Sequence, residues 1–212
     1  MKLAVPSICA LLALAGCASG ERETVPVPAQ AGAPAAFDWR MIATADDRRR
    51  LREWRTAWVA ALARARPGHA AEIAREGVLL DPDAGRLGAS PPPGDYACRV
   101  IKVGARSAGM LDYVAYPAFN CRIGVENGVL SFAKLTGSQR PIGLILPDTE
   151  RRSIFLGTLQ LGDERLALQY GRDEERDMAG VVELVGERRW RIAFPYPHFE
   201  STLDVLELVP KV

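Results

Sequence analysis

The chain is poor in the side chains that build metal and redox centres. It has two histidines, His69 and His198, and four cysteines, Cys9, Cys17, Cys98 and Cys121. A structural zinc site wants four thiolate or imidazole ligands held at close spacing, so this inventory argues against one, and no cofactor is implied. It also lacks an excess of either charge. With 27 basic and 26 acidic side chains the net charge is +1, which removes bulk electrostatics as a basis for nucleic-acid binding. No apolar run reaches the roughly 20 residues that a membrane-spanning helix needs. The Gly-x-Ser-x-Gly elbow of serine hydrolases and the spacing of a Walker phosphate loop are both missing.

What is present begins at the N-terminus. A single Lys2 precedes an apolar run from Leu3, which closes on Leu14-Ala15-Gly16-Cys17. Small residues before a cysteine let the segment lie extended in a peptidase cleft, and the thiol then accepts a diacylglyceryl group. Residues 1–16 therefore read as a lipoprotein signal peptide, and Cys17 as the lipidation site. One acyl chain holds a protein only marginally, so several chains (a palmitate among them) make the anchor stable. Ala18 stands where an aspartate would signal inner-membrane retention in the bacterial lipoproteins that this stretch resembles. The expected location is the periplasm-facing side of the outer membrane. Loss of Cys9 and acylation of Cys17 leave Cys98 and Cys121 as a pair, most simply a disulfide bond in an oxidising compartment.

Residues 17–36 are rich in Pro, Ala, Val and Gly and read as a flexible tether. Residues 37–93 read as a helical segment followed by a Pro-rich loop. Thr44 is positioned to cap a helix with Asp46 and Asp47 in its first turn. Leu51, Trp54, Trp58, Leu62 and Ala65 recur at spacings of three and four, which draws one apolar stripe. Pro67-Gly68 ends that helix, and a shorter one follows to Glu76 with Gly77 as its stop. The stripe either docks on the rest of the protein or, with its arginines, lies on an anionic membrane surface.

From residue 94 to 212 the period changes to two. Strands are expected over Tyr96–Val103, Tyr113–Ile123, Val129–Leu135, Pro141–Leu146, Ser153–Leu159, Arg165–Tyr170, Val181–Val185, Trp190–Phe194 and Leu203–Val209. Asn127-Gly128 is a strong two-residue turn, with further turns at Gly137-Ser138, Pro147-Asp148 and Gly186-Glu187. The alternation of Leu166, Leu168 and Tyr170, and of Trp190, Ile192 and Phe194, with polar or small residues is that of half-buried antiparallel strands. The fold class is mainly β with an N-terminal helical segment: a small antiparallel up-and-down, lipocalin-like barrel of eight or nine strands. Closure is preferred to a sandwich because it leaves no open edge. A hairpin centred near Gly109-Met110 places Cys98 opposite Cys121.

Candidate chemistry is sparse. Lys134-Leu135-Thr136-Gly137-Ser138-Gln139-Arg140-Pro141 sets two cations and two hydroxyls around a glycine turn, so Lys134, Thr136, Ser138 and Arg140 are candidate anion or ligand contacts; a plain hairpin turn with polar flanks is the alternative. Asp163, Glu164, Asp173, Asp177 and Glu183 lack the spacing of a calcium loop and read as solvated ion pairs. His198 reads as a packed loop residue and His69 as exposed.

Several stretches together resemble an exported bacterial family labelled only as a domain of unknown function, DUF 4893. They are Arg50-Leu51-Arg52-Glu53-Trp54 with Ala57-Trp58, Glu76-Gly77 with Leu80-Asp81-Pro82, and Pro92-Pro93-Gly94-Asp95-Tyr96 leading to Cys98-Arg99-Val100-Ile101-Lys102. Phe119-Asn120-Cys121-Arg122, the Lys134–Pro141 stretch and Asp204-Val205-Leu206-Glu207 continue the likeness. It spans nearly the whole chain after Ala36 and implies no activity, so no catalytic residue is carried over.

The functional expectation is a lipid-anchored periplasmic protein that joins the membrane through acylated Cys17. It acts as a non-catalytic binding module for an envelope protein or a small amphiphile. The alternative of a different class is a periplasmic hydrolase using Ser138 or a carboxylate pair. A filled barrel interior argues against a carrier, and a pocket gathering Ser, His and Asp argues for an enzyme.

Overall fold

The computed structural model describes residues 37–211. The expectations for residues 1–36, including the signal, Cys17 and the tether, lie outside the described residues.

Three helices open the described chain: α1 (Trp39–Ile42), α2 (Ala45–Arg52) and α3 (Trp54–Glu76). Thr44 caps α2 as its sequence position predicts, its hydroxyl accepting the Asp47 N–H at 3.2 Å and satisfying one of the orphan donors of the first turn. The single helix expected across Leu51 to Ala65 is divided at Glu53 (φ −93°, ψ 7°). That break lets Leu51 join one apolar cluster and Trp58 another. Beyond Pro67 the backbone leaves helical geometry at His69 and resumes to Glu76. Gly77 ends it at a φ of 54°, a conformation that costs glycine little. A 3-10 turn, Gly77–Leu80, follows.

Among the described residues nine strands form one antiparallel sheet: β1 (Gly94–Ala105), β2 (Tyr113–Ala115), β3 (Phe119–Glu126), β4 (Val129–Lys134), β5 (Gln139–Thr149), β6 (Arg152–Leu161), β7 (Asp177–Gly186), β8 (Arg189–Pro195) and β9 (Ser201–Pro210). Each of β3 to β9 pairs with the next, and β9 returns to β1, so eight strands close into a barrel. Strand β2 is the extra one, on the edge of β1 that β3 also uses.

Three strand expectations are corrected. Tyr113–Ile123 is not continuous. It breaks at Tyr116-Pro117-Ala118, where Pro117 has no N–H to give the ladder, and β2 and β3 pair with different stretches of β1. The register also differs: Cys98 faces Phe119 and Cys121 faces Tyr96. The disulfide is nevertheless formed, diagonally across β1 and β3, with Cα atoms 5.9 Å apart. Arg165–Tyr170 is no strand. It belongs to the long β6–β7 connection, with Leu166 85% exposed. Strands β6 and β7 pair directly, so no ladder position was left for it. Tyr170 instead binds the helices, its hydroxyl donating to Asp47 at 2.5 Å and accepting the Thr44 N–H at 3.0 Å.

The barrel is filled. Phe132 and Phe155 meet edge to face at 5.8 Å, Phe155 and Phe194 at 5.6 Å, and Tyr96 and Trp190 at 6.4 Å, distances at which aromatic pairs attract beyond simple burial. Ile123, Ile145, Ile192 and Leu206 pack around them with the disulfide. The helices cover part of the outer wall. Trp58, Ala61, Leu62 and Ala65 of α3 pack on Ile101, Val103, Leu203 and Val205, while Trp39 and Leu51 pack on Leu146, Ile154 and Val181. The Trp stripe therefore docks on the flank of the barrel. Gly104 makes this fit: at a φ of 70°, a Cβ there would lie 2.8 Å from the Ala61 Cα.

Docking buries both faces of β8, a correction to its half-buried reading. Trp190, Ile192 and Phe194 point inward, while Arg191 and Ala193 are fully buried beneath the helices. Arg191 bonds Glu183 at 2.7 Å and the carbonyls of Val78, Leu79 and Asp81 at 3.1, 3.0 and 2.6 Å. One guanidinium thus ties down three carbonyls where the helical layer ends, two of which, Val78 and Asp81, also accept a backbone N–H.

A polar mouth at one end of the barrel

At one end the filled interior gives way to charge. The inward phase of β1 runs Cys98, Val100, Lys102, and that of β9 runs Leu208, Leu206, Asp204, so the alternation that buries apolar residues lower down carries two charges to the rim. Lys102 and Asp204 are direct cross-strand partners. The Lys102 ammonium lies 3.0 Å from Asp204 Oδ2 and 3.1 Å from Glu200 Oε2. The Ser201 hydroxyl donates to the other oxygen of Asp204. Burial works against the charge on Lys102, but the two carboxylates outweigh it and raise its pKa.

Beside this group is a cavity of about 40 Å³ among Val100, Leu159, Asp177, Met178 and His198. That is room for one or two waters or a small polar head, not for an acyl chain. Asp177, at the start of β7, is 2% exposed. Its Oδ1 accepts the Gly171 N–H at 2.9 Å, while Oδ2 has no partner among the described residues. Burial, with no cation bonded to the carboxylate, raises its pKa. His198, on the β8–β9 connection, likewise has an unpartnered buried Nε2. Burial pushes its pKa down, and Arg50 adds to the effect. Glu175 is exposed on the same rim. An adjoining pocket of about 140 Å³ shares Val100, Lys102 and Gln139 and is walled by Tyr116, Phe119, Lys134 and Ser138.

Of the predicted ligand contacts, Lys134 and Ser138 reach this mouth. Lys134 is 5% exposed. Its Nζ donates to the carbonyls of Thr136 at 2.7 Å and Gln139 at 2.9 Å and sits 3.6 Å from the centre of the Phe119 ring. Burial lowers its pKa to about 8. Thr136 Oγ1 accepts the Asn120 N–H at 3.0 Å. Arg140 turns away, donating to the carbonyls of Gly137, Leu161, Gly162 and Glu164. Two cations of the motif thus hold main chain in place.

The acidic cluster disperses. Glu164 pairs with Arg176 at 3.0 Å and Glu183 with buried Arg191, so the latter is no solvated pair. Asp173 accepts the Glu175 N–H at 3.1 Å. Among the described residues no group of three or more His, Cys, Asp or Glu side chains is placed to hold a metal ion. His69 is half-buried and stacks on Tyr113 at 5.6 Å, where an exposed position was expected. Sequence reading missed Lys102 and Asp204, and Asp177, read as one of the solvated ion pairs, is buried and has no ion-pair partner among the described residues. The available signal was a charge standing in the apolar phase of a strand, visible at Lys102 and Asp204.

Together these features define a small closed antiparallel barrel with a packed core, an outer helical layer and a polar mouth at one end. The chain belongs to the family described as Domain of unknown function (DUF4893), whose model matches residues 39–208. No curated protein and no solved structure matches it.

Proposed function

We propose that this is a lipid-anchored protein on the periplasmic side of the outer membrane. It works as a non-catalytic binding module whose recognition element is the barrel mouth. Two observations support the location: the Leu14–Cys17 cleavage pattern and a disulfide built into the barrel interior, as expected of an oxidising compartment. The reading of the mouth rests on one observation. The aromatic stack occupies the space a carrier would leave hollow, while Asp177 and His198 keep unpartnered polar atoms beside a cavity at the rim. Buried polar atoms ordinarily find partners. The module thus takes the tip of a ligand, from a small amphiphile or an envelope protein, rather than a swallowed chain.

Mass spectrometry of the protein from membranes tests the anchor: an N-terminal acylated Cys17 is expected, and an unmodified N-terminus carrying residues 1–16 overturns it. For the module, a photo-crosslinker at Phe199 should capture a ligand in the intact envelope, and one at exposed Val59 should not. Equal capture from both positions removes the mouth as the recognition element.

A hydrolase is the second reading, favoured by the presence of Ser138, His198, Asp177 and Asp204 around the same mouth. Against it, among the described residues no hydrogen bond links His198 to a serine or a carboxylate. Nucleophilic catalysis needs a chain of nucleophile, base and orienting group. A serine-directed fluorophosphonate that labels Ser138 would restore that reading.

A further inference from the structure

The charges at the mouth do not balance locally. Lys102 is the cation of the mouth cavity, and Asp204 and Glu200 both engage it. Asp177 and Glu175 border the same cavity, and neither has an ion-pair partner among the described residues. Nearby Arg50 donates to the Asp47 carboxylate and to the main-chain carbonyls of Asp177 at 2.9 Å and Tyr196 at 3.4 Å; its Nε, without a hydrogen-bond partner among the described residues, lies 3.4 Å from Asp46 and pairs with neither Asp177 nor Glu175. One of these two carboxylates is almost wholly buried with a bare oxygen, an arrangement that costs free energy unless something donates to it. The neutral imidazole of His198 supplies a further lone pair or N–H. Around these polar groups the walls are apolar: Leu159, Met178, Pro197 and Phe199, the last 37% exposed at the lip.

We propose that the mouth is a binding site for a primary ammonium group carried on a short apolar body. The cationic head enters between Asp177, Glu175 and His198, and the body lies along Pro197 and Phe199. The volume sets this division: about 40 Å³ admits an ammonium head and leaves the carbon chain outside. A neutral or anionic head of the same size lacks the charge that the two carboxylates need. This deepens the reading of the mouth as the recognition element and does not depend on the lipid anchor. A free amine and a lysine side chain of an envelope protein offer the same head.

The test uses the mature protein in detergent and isothermal titration at neutral pH with n-hexylammonium, n-hexanol and hexanoate. Saturable binding of n-hexylammonium, at least tenfold tighter than either control, is expected. Glu175→Gln, at an exposed position, should weaken it several-fold, and Asp177→Asn by tenfold or more. Nα-acetyl-lysine methylamide separates the sources: affinity equal to n-hexylammonium supports a protein lysine, and much weaker affinity supports a free amine. The ammonium assignment is overturned if the three probes bind alike, if none saturates, or if Glu175→Gln leaves n-hexylammonium binding unchanged. Continued capture by a crosslinker at Phe199 in that event would keep the mouth as a recognition element for another chemistry.

Discussion

The guanidinium carbon of Arg191 lies 4.4 Å from the centre of the Trp58 ring, with both side chains wholly buried between the barrel wall and α3. A cation stacked on an indole and desolvated on all sides is held strongly. It also carries the Glu183 pair and three carbonyls of the segment after α3. Arg191→Met keeps much of the volume but leaves Glu183 buried without its partner. A loss of about 3–5 kcal/mol is expected, the range for breaking a buried pair. Trp58→Ala should cost about as much through its cavity. Urea unfolding measures both, and a loss below about 1 kcal/mol for either would show that the helical layer is not held there.

Asp177 and His198 give stability two slopes of opposite sign. A carboxyl whose folded pKa is raised binds more protons folded than unfolded above its ordinary pKa of 3.8, so it subtracts stability as pH rises through that window. Asp177→Asn should therefore flatten the decline and leave the protein as stable as the parent, or more so, at neutral pH. Residues kept for binding commonly show this trade. A histidine with a lowered folded pKa acts oppositely: stability falls as pH drops below 6.5, because the unfolded imidazole protonates first. Chemical denaturation from pH 4 to 8 with Asp177→Asn and His198→Gln reads both slopes.

Lys134 titrates in a higher window. Its pKa is lowered from 10.5 to about 8, so the unfolded chain binds the extra proton between those values and stability should climb as pH rises through them. Lys134→Met should abolish that climb. It should also cost about 1–3 kcal/mol at neutral pH by stripping the Thr136 and Gln139 carbonyls of their donor. An unchanged slope between pH 8 and 10.5 would mean that those carbonyls and the Phe119 face hold the proton in place.

Reducing Cys98–Cys121, or replacing both cysteines by alanine, should lower stability by about 3 kcal/mol in the chain-entropy account of a loop this size. The barrel should remain folded, since Ile123, Phe132 and Leu206 pack beside the bridge. Near-ultraviolet circular dichroism after reduction checks the fold.

Gly104→Ala tests the contact between α3 and β1. The new methyl would meet Ala61 and adopt a left-handed φ of 70°, so a cost of about 1–3 kcal/mol is expected. A second change, Ala61→Gly, removes the 3.2 Å contact to the Ala61 Cβ but leaves the 2.8 Å contact to its Cα, so a double-mutant cycle should recover only a small part of the cost.

Much of the fold was legible because local rules agreed with global ones. Seven of the nine expected strand segments are single strands of the barrel, Asn127-Gly128 marked its hairpin, and Thr44 and Gly77 bounded helices where capping chemistry requires. The failures have different causes: Pro117 interrupts the Tyr113–Ile123 segment, where the signal was local. Arg165–Tyr170 has the period of a strand, yet a strand needs a partner edge, and β6 and β7 had already taken each other's. The site was less readable. Lys134 and Arg140 look like anion contacts in sequence, but their donors are spent on carbonyls that only the folded turns bring near.

Composition and spacing by themselves determined the class of this protein: a β-rich module preceded by a helical segment, with Cys98 and Cys121 on neighbouring strand segments. Those properties follow from periodicity and turn chemistry, which act over a few residues. Only the tertiary structure decided that the helices lie on the flank, that Arg191 is interior, and that Asp177 and His198 share one rim. Such outcomes depend on which faces meet after the barrel closes, and contacts between residues a hundred positions apart leave no mark on local pattern.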